Sequence, residues 1–174
     1  MHRRMILSIF LLLFPTLLFS GKIEPYIGWE SNPITTGISI GLRNESLLIN
    51  ASVQYPIVAS IVLAALDRTW LYPVFLWTGS VEGRIPITDN TSISIGPQVY
   101  VLTKDVTECL LVSYNVQLGI DFFTPQASHL WGISLAFPIY LQGQMVHSDI
   151  DGSAWAYDEF GFAVIPSVRV HWKL

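Results

Sequence analysis

Seven ionisable residues carry whatever chemistry this chain holds: Glu24, Arg43, Glu82, Asp121, Arg169, His171 and Lys173. They are scattered in sequence, yet each falls in the polar half of a segment whose residues alternate apolar and polar. Glu24 opens the first such segment, Arg43 closes the second, Glu82 the fourth and Asp121 the sixth, while Arg169, His171 and Lys173 close the last. If the segments lie side by side with both termini at one end, three carboxylates meet two or three cations in a narrow, poorly hydrated space. Opposite charges in such a place pair rather than stand alone. The expectation is a plug of ion pairs, and the competing reading is a charged ring selecting ions in a pore.

Other candidate chemistry is thinner. Asp149, Asp151, Asp158 and Glu159 surround Gly152, but only a fragment of a twelve-residue calcium loop is present, so a solvated acidic loop is the expectation and no metal site is assigned. Trp155 and Tyr157 in the same stretch suit contact with a surface ligand. His147 and Ser148 are adjacent, and neighbours on an extended chain point to opposite faces, poor geometry for a base and its nucleophile. Neither catalytic residues nor a cofactor are expected. The lone Cys109 has no partner for an intrachain disulfide.

The elements that must position these residues are strands. From Leu110 to Phe122 one parity reads Leu, Val, Tyr, Val, Leu, Ile, Phe and the other Leu, Ser, Asn, Gln, Gly, Asp. Side chains alternate faces on a strand, so this stretch has one oily and one polar face. Its length exceeds the usual ~5–6 residues and reaches the ~9–11 a tilted strand needs to cross a bilayer. Eight such segments are read: Lys22–Glu30, Ile34–Arg43, Ser46–Tyr55, Thr69–Glu82, Thr91–Leu102, Glu108–Phe122, His129–Gln142 and Phe160–Leu174. An even count lets the first and last pair antiparallel, so that every backbone polar group finds a partner. The expected fold is all-β, an eight-stranded antiparallel up-and-down transmembrane barrel, with the oily parity facing lipid and the small polar parity filling the interior. Five prolines, Pro25, Pro73, Pro97, Pro138 and Pro166, each remove a ladder donor and are expected at bulges or local breaks.

Composition agrees. Of 174 residues 51% are hydrophobic and 13% charged, against about 25% charged in an average soluble domain. The formal charge of −4 becomes −6 without Arg3 and Arg4 and leaves no basic footprint for nucleic acid. Met1–Ser20 places His2, Arg3 and Arg4 ahead of an apolar run, Ile6–Phe19, followed by Ser20 and Gly21; it reads as a secretory signal, with Gly21–Leu174 as one barrel domain.

Signal, eight long alternating strands and a last strand running to Leu174 together resemble the small bacterial outer-membrane barrels of the OmpX, OmpA membrane-domain and OmpW types. The resemblance is one of pattern and covers Lys22–Leu174. It implies an outer-membrane location reached by secretory export, outer-membrane lipid and the barrel-insertion machinery as partners, and a structural or surface-interaction role. The OmpW type further implies passage of small hydrophobic solutes, for which the oily connection Pro56–Leu66 is the candidate region. Where these families end on an aromatic residue, this chain ends Trp172, Lys173, Leu174. The alternative is a soluble exported barrel holding a lipophilic ligand, which requires the oily parity to face inward.

Overall fold

Alternation produces long strands, and short turns built on Asn and Asp fold them into antiparallel neighbours. A computed structural model describes residues 21–56, 74–104, 108–124, 129–143, 146–147, 154–155 and 164–174. The strands are β1 (Glu24–Ser31), β2 (Thr36–Arg43), β3 (Leu47–Tyr55), β4 (Val74–Thr88), β5 (Thr91–Lys104), β6 (Glu108–Thr124), β7 (His129–Gly143), the two-residue β8 (Val146–His147) and β9 (Ala154–Trp155), and β10 (Ile165–Lys173). The segment Met1–Ser20, the connection from residue 57 to Leu66, Pro73, the carboxylates Asp149, Asp151, Asp158 and Glu159, and Tyr157 lie outside the described residues.

Eight strands close into a barrel in the order β1-β10-β7-β6-β5-β4-β3-β2, every pair antiparallel, while β8 and β9 form a separate two-stranded ladder. Closure is made by β1 on β10, from Tyr26↔Lys173 to Ser31↔Val168. The turns explain why consecutive strands pair. Asn32 Oδ1 accepts the Ile34 and Thr35 amides at 2.9 and 2.8 Å, and Asn44 Oδ1 accepts those of Ser46 and Leu47 at 2.9 and 2.7 Å. In both, a short side chain folds back on its own backbone to start the reversal. Asp89 and Asn90 form the two-residue turn between β4 and β5.

The two parities separate as the alternation requires. Ile38, Ile40, Ile133, Leu135, Leu118 and Ile120 are exposed on the outside, while Ser39, Ser94, Gln117, Ser134 and Asp121 are buried inside. The barrel is thus inverted relative to a water-soluble one, with apolar residues outside and its polar residues at the centre.

Three strand readings change. The stretch Gly83–Asn90, expected as a connection, continues β4 to Thr88, and only Asp89 and Asn90 turn. Its turn formers are absorbed by a register shift that leaves Ile87 as the extra residue between Pro86↔Ser92 and Thr88↔Thr91. In β7 the pairing shifts from Asn115↔Pro138 to Tyr114↔Tyr140, so Ile139 is a bulged residue and the parity reverses beyond it. Tyr140, expected inside, is therefore exposed beside Tyr114. The last strand is described from Ile165, with Val164 standing before it outside the ladder, and Phe160 to residue 163 lie outside the described residues.

The described prolines sit where the ladder lapses. Pro25 precedes the first β1–β10 pair, Pro166 lies beyond the last of them, and Pro138 adjoins the bulge. Opposite Pro97 the β4–β5 ladder skips from Ser80↔Gln98 to Gly83↔Ile95 without changing register.

Candidate functional site

Arg169 projects from the middle of β10 into the barrel, where its guanidinium has nowhere to go but across. It is 1% exposed, and the two carboxylates it meets, Glu82 and Asp121, are 0% exposed. Nη1 and Nη2 donate to Glu82 Oε1 and Oε2 at 2.7 and 2.8 Å, a bidentate pair. Nε and Nη2 donate to Asp121 Oδ1 at 3.0 and 2.8 Å, and Nη2 also lies 2.8 Å from Ser94 Oγ. β4, which carries Glu82, is four strands from β10 in either direction around the ring, so the pair bridges a full diameter. β6, carrying Asp121, lies midway between them.

Glycines make the room. A Cβ at Gly132 would collide with Asp121 Oδ1 and stand 3.3 Å from Arg169 Nε; one at Gly119 would stand 3.3 Å from Arg169 Nη2 and 2.7 Å from Ser94 Oγ. Gly132 pairs with Arg169 on one side and Asp121 on the other. The small members of the inner parity are thus the complement of one large side chain.

A second charge group closes the end where β1 starts and β10 finishes. Glu24 lies 3.8 Å from Arg43 Nε and accepts a hydrogen bond from Lys173 Nζ. Arg43 also stands over the Phe123 ring, 5.6 Å from its centroid. The seven expected residues therefore divide: Glu82, Asp121 and Arg169 in one cluster, Glu24, Arg43 and Lys173 in another.

His171 joins neither. Its ring stacks on Tyr26, centroids 4.0 Å apart, opposite Gly28, where any Cβ would strike the imidazole. Tyr26 in turn donates to Asn50 Oδ1 at 2.8 Å, and Asn50 Nδ2 donates to Glu30 Oε2 at 3.1 Å.

Two charged members of the lumen were missed by sequence reasoning. Glu30 belongs to the polar parity of the first strand and sits opposite Arg169 in register; its position at the far end of a short segment hid it. Arg84 fell in a stretch read as a turn, but β4 carries it inward, with Nε 3.7 Å from Asp121 Oδ2, Nη1 donating to the Asn44 carbonyl and Nη2 to Ser92 Oγ, each at 2.9 Å. The signal that could have found it is parity, since Ser80, Glu82 and Arg84 are alternate residues. With these two, the described inward charges are Glu24, Glu30, Glu82 and Asp121 against Arg43, Arg84, Arg169 and Lys173, which balance.

Toward the other end the lumen is neutral and polar. Ser52 and Thr78 share a hydrogen bond at 2.7 Å, Gln54 Nε2 donates to Ser52 Oγ at 3.0 Å, and Gln117 Nε2 donates to Ser134 Oγ at 2.7 Å. The outward face carries aromatic pairs at both ends. Phe122 stacks on Trp131 at 4.3 Å, and Tyr114 meets Tyr140 at 6.0 Å. Trp77, half-exposed, donates its indole N–H to Thr103 Oγ1 at 3.0 Å. Trp29 and Trp172 also face outward, whereas Phe160 and Phe162 lie outside the described residues.

Trp155 pairs with Val146 in the short β8–β9 ladder, and Ser148, like Tyr157, lies outside the described residues. Among the described residues no group of three or more His, Cys, Asp or Glu side chains is placed to hold a metal. The assembled groups can do one thing well: fill and tie the bore with directional, charge-assisted bonds. No protein-family model, curated protein or solved structure matches the chain, and a barrel by itself does not distinguish one type of small outer-membrane barrel from another.

Proposed function

We propose that the protein is an integral barrel of the bacterial outer membrane, reached by secretory export, with a structural or surface-interaction role and a lumen plugged by ion pairs. The observation that carries this is the inversion of the two parities: Ile38, Ile40, Ile133 and their neighbours form a contiguous apolar surface, whereas Arg169, Glu82 and Asp121 are enclosed. Proteins surrounded by water rarely expose apolar patches beyond a few hundred Å². Acyl chains are the solvent such a surface matches, and a closed antiparallel ring leaves no unpaired edge in them.

The aromatic pairs support the same solvent. Tyr114 and Phe122 are eight residues apart on β6, roughly 27 Å along the strand at ~3.4 Å per residue. With the ~40° tilt of such barrels that is about 21 Å along the axis, close to the ~25 Å apolar band of outer-membrane proteins with aromatic girdles at its edges. Between them run Val116, Leu118 and Ile120, paired with Phe137, Leu135 and Ile133.

The bridge across the bore favours a plug over an ion-selecting ring, since Arg169 is already satisfied by two carboxylates. Passage of small hydrophobic solutes finds no apolar path along the described lumen and remains tied to Pro56–Leu66. A soluble barrel for a lipophilic ligand would need an apolar interior, and Ser94, Gln98 and Gln117 stand there instead.

Membrane fractions tested by carbonate extraction, with gel migration before and after boiling, check the placement. Retention in the pellet and a boiling-dependent shift are expected; release into the supernatant would count against it. In proteoliposomes, the wild type is expected to give no steady ion conductance, and Arg169→Ala to introduce one.

A further inference from the structure

Ahead of β1 a short arm, Gly21, Lys22 and Ile23, lies against the turn between β2 and β3. Glu24↔Arg43 is the last pair of the β1–β2 ladder, and beyond it Ile23 shares a small crevice with Leu42, Leu47 and Ile49. Gly21 reaches Glu45: a Cβ built on it would stand 3.9 Å from both Cγ and Cδ of that side chain. The α-nitrogen is two bonds from that position, which puts it within reach of the carboxylate. The approach uses a backbone φ of +91°, a region open to glycine and strained for residues that carry a Cβ.

Charge says what Glu45 is placed to meet. Among the described residues it makes no ion pair, and the other cations of this mouth are engaged, Arg43 and Lys173 by Glu24 and Arg84 by Asp121. That leaves Lys22 for two exposed carboxylates, Glu45 and Asp89. Within an unbroken chain the Gly21 nitrogen is a neutral amide and offers Glu45 no counter-charge. Freed as an α-amino group, with an ordinary pKa of about 7.7–8.0, the same nitrogen is an ammonium at neutral pH.

The residues ahead of the arm supply the chemistry that frees it. Arg3 and Arg4 precede the apolar run Ile6–Phe19, and Ser20 is small, the layout that an export peptidase cleaves just after the small residue. Hydrolysis of the Ser20–Gly21 amide breaks its C–N bond. Water gives its oxygen to the Ser20 carbonyl carbon, which departs as a carboxylate, and both hydrogens to the Gly21 nitrogen, which becomes the ammonium.

We propose that cleavage after Ser20 leaves the Gly21 ammonium paired with Glu45, a latch that holds the arm of the processed barrel at its mouth. The latch rests on the secretory export proposed above. The full-length chain is expressed and recovered from membranes, and its first residue is read by intact mass and amino-terminal sequencing. The α-amine, dimethylated with isotope-labelled formaldehyde, is then titrated by NMR in micelles. Gly21 is expected as the first residue. The titration midpoint is expected to fall by about 0.2–0.7 pH unit in Glu45→Gln, the size of an exposed ion pair, to fall less in Asp89→Asn, and the difference from wild type to shrink in about 1 M salt. A first residue other than Gly21 overturns the latch while export stands, and an intact chain beginning at Met1 in the membrane overturns both. Equal midpoints in wild type and Glu45→Gln, or an equal fall in Asp89→Asn, the mark of a diffuse field, overturn the latch alone.

Discussion

Arg169 and Glu82 face each other from diametrically opposite strands, joined by two parallel hydrogen bonds of 2.7 and 2.8 Å at the centre of the barrel. With the two residues 87 positions apart in sequence, this contact forms only when β10 has closed against β1 and β7. It therefore reports on the finished barrel rather than on any hairpin.

Removing the cation leaves Glu82 and Asp121 enclosed without their counter-charge. Breaking a buried pair in this way costs about 3–5 kcal/mol. Arg169→Ala is expected to lower stability by that amount in urea unfolding from micelles. Arg169→Lys is expected to fall between, because a point-like ammonium cannot bond Glu82 bidentately while reaching Asp121. A change under about 0.5 kcal/mol for Arg169→Ala, the range of an ordinary surface substitution, would remove the cluster from any structural role.

The glycines around that cluster are expected to separate by the space at each. Gly132→Ala pushes a methyl into Asp121 Oδ1 and to 2.9 Å from the Ile120 carbonyl, an overpacking of the kind that costs about 1–3 kcal/mol. Gly79→Ala meets nothing within 4 Å and is expected to gain roughly 0.4–1 kcal/mol by restricting the unfolded chain. Equal effects at the two sites, in the same unfolding assay, would contradict the packing described.

Tyr26→Phe tests the polar network beside the cluster. It keeps the ring on His171 but withdraws the donor to Asn50 Oδ1, whose side chain is 3% exposed. Leaving a buried acceptor unmet costs about 1–3 kcal/mol. Asn50→Leu also strips the buried Glu30 of a donor, so the double variant Tyr26→Phe/Asn50→Leu is expected to cost less than the sum of the two singles rather than to restore the wild type. A double variant no better than the sum of the singles would show that the bond is not what holds this region.

Outside the barrel, depth should govern cost. Leu118, midway along β6 between Ile95 and Leu135, is expected to lose about 2–4 kcal/mol as Leu118→Arg, whereas Trp131→Arg, near the edge of the band, is expected to lose about 0–1 kcal/mol from charge alone, plus the stacking on Phe122. Equal penalties after Trp131→Ala is subtracted would argue against an acyl solvent.

Strand existence and the inside-out parity were legible in the sequence because a period of two survives any uncertainty in where a strand ends. Leu110–Phe122 announced itself in this way, and so did the small residues opposite large ones. Position within the pairing was not legible. Ile139 bulges out between Pro138↔Asn115 and Tyr140↔Tyr114, beside a proline that cannot donate to the ladder, and nothing local to the chain says which residue is left over. Arg84 was hidden by Gly83, Pro86, Asp89 and Asn90, whose turn-forming character outweighed an alternation that in fact continues. The grouping of charges was legible only as a sum: that carboxylates and cations would share the lumen followed from parity, but their division between a bridge at Arg169 and a rim at Glu24 depends on strand stagger. His171 lies on Tyr26 because Gly28 leaves a ring-sized space there, a fact of two strands at once.

The most direct test places an environment-sensitive label at positions 133, 134 and 135 in turn, on a Cys109→Ser background, with the protein reconstituted in liposomes. Quenching by doxyl-labelled lipid is expected at 133 and 135 but not at 134, where the label points into the plugged bore. Quenching at 134 alone, or labels at 133 and 135 that answer only to aqueous iodide, would contradict it.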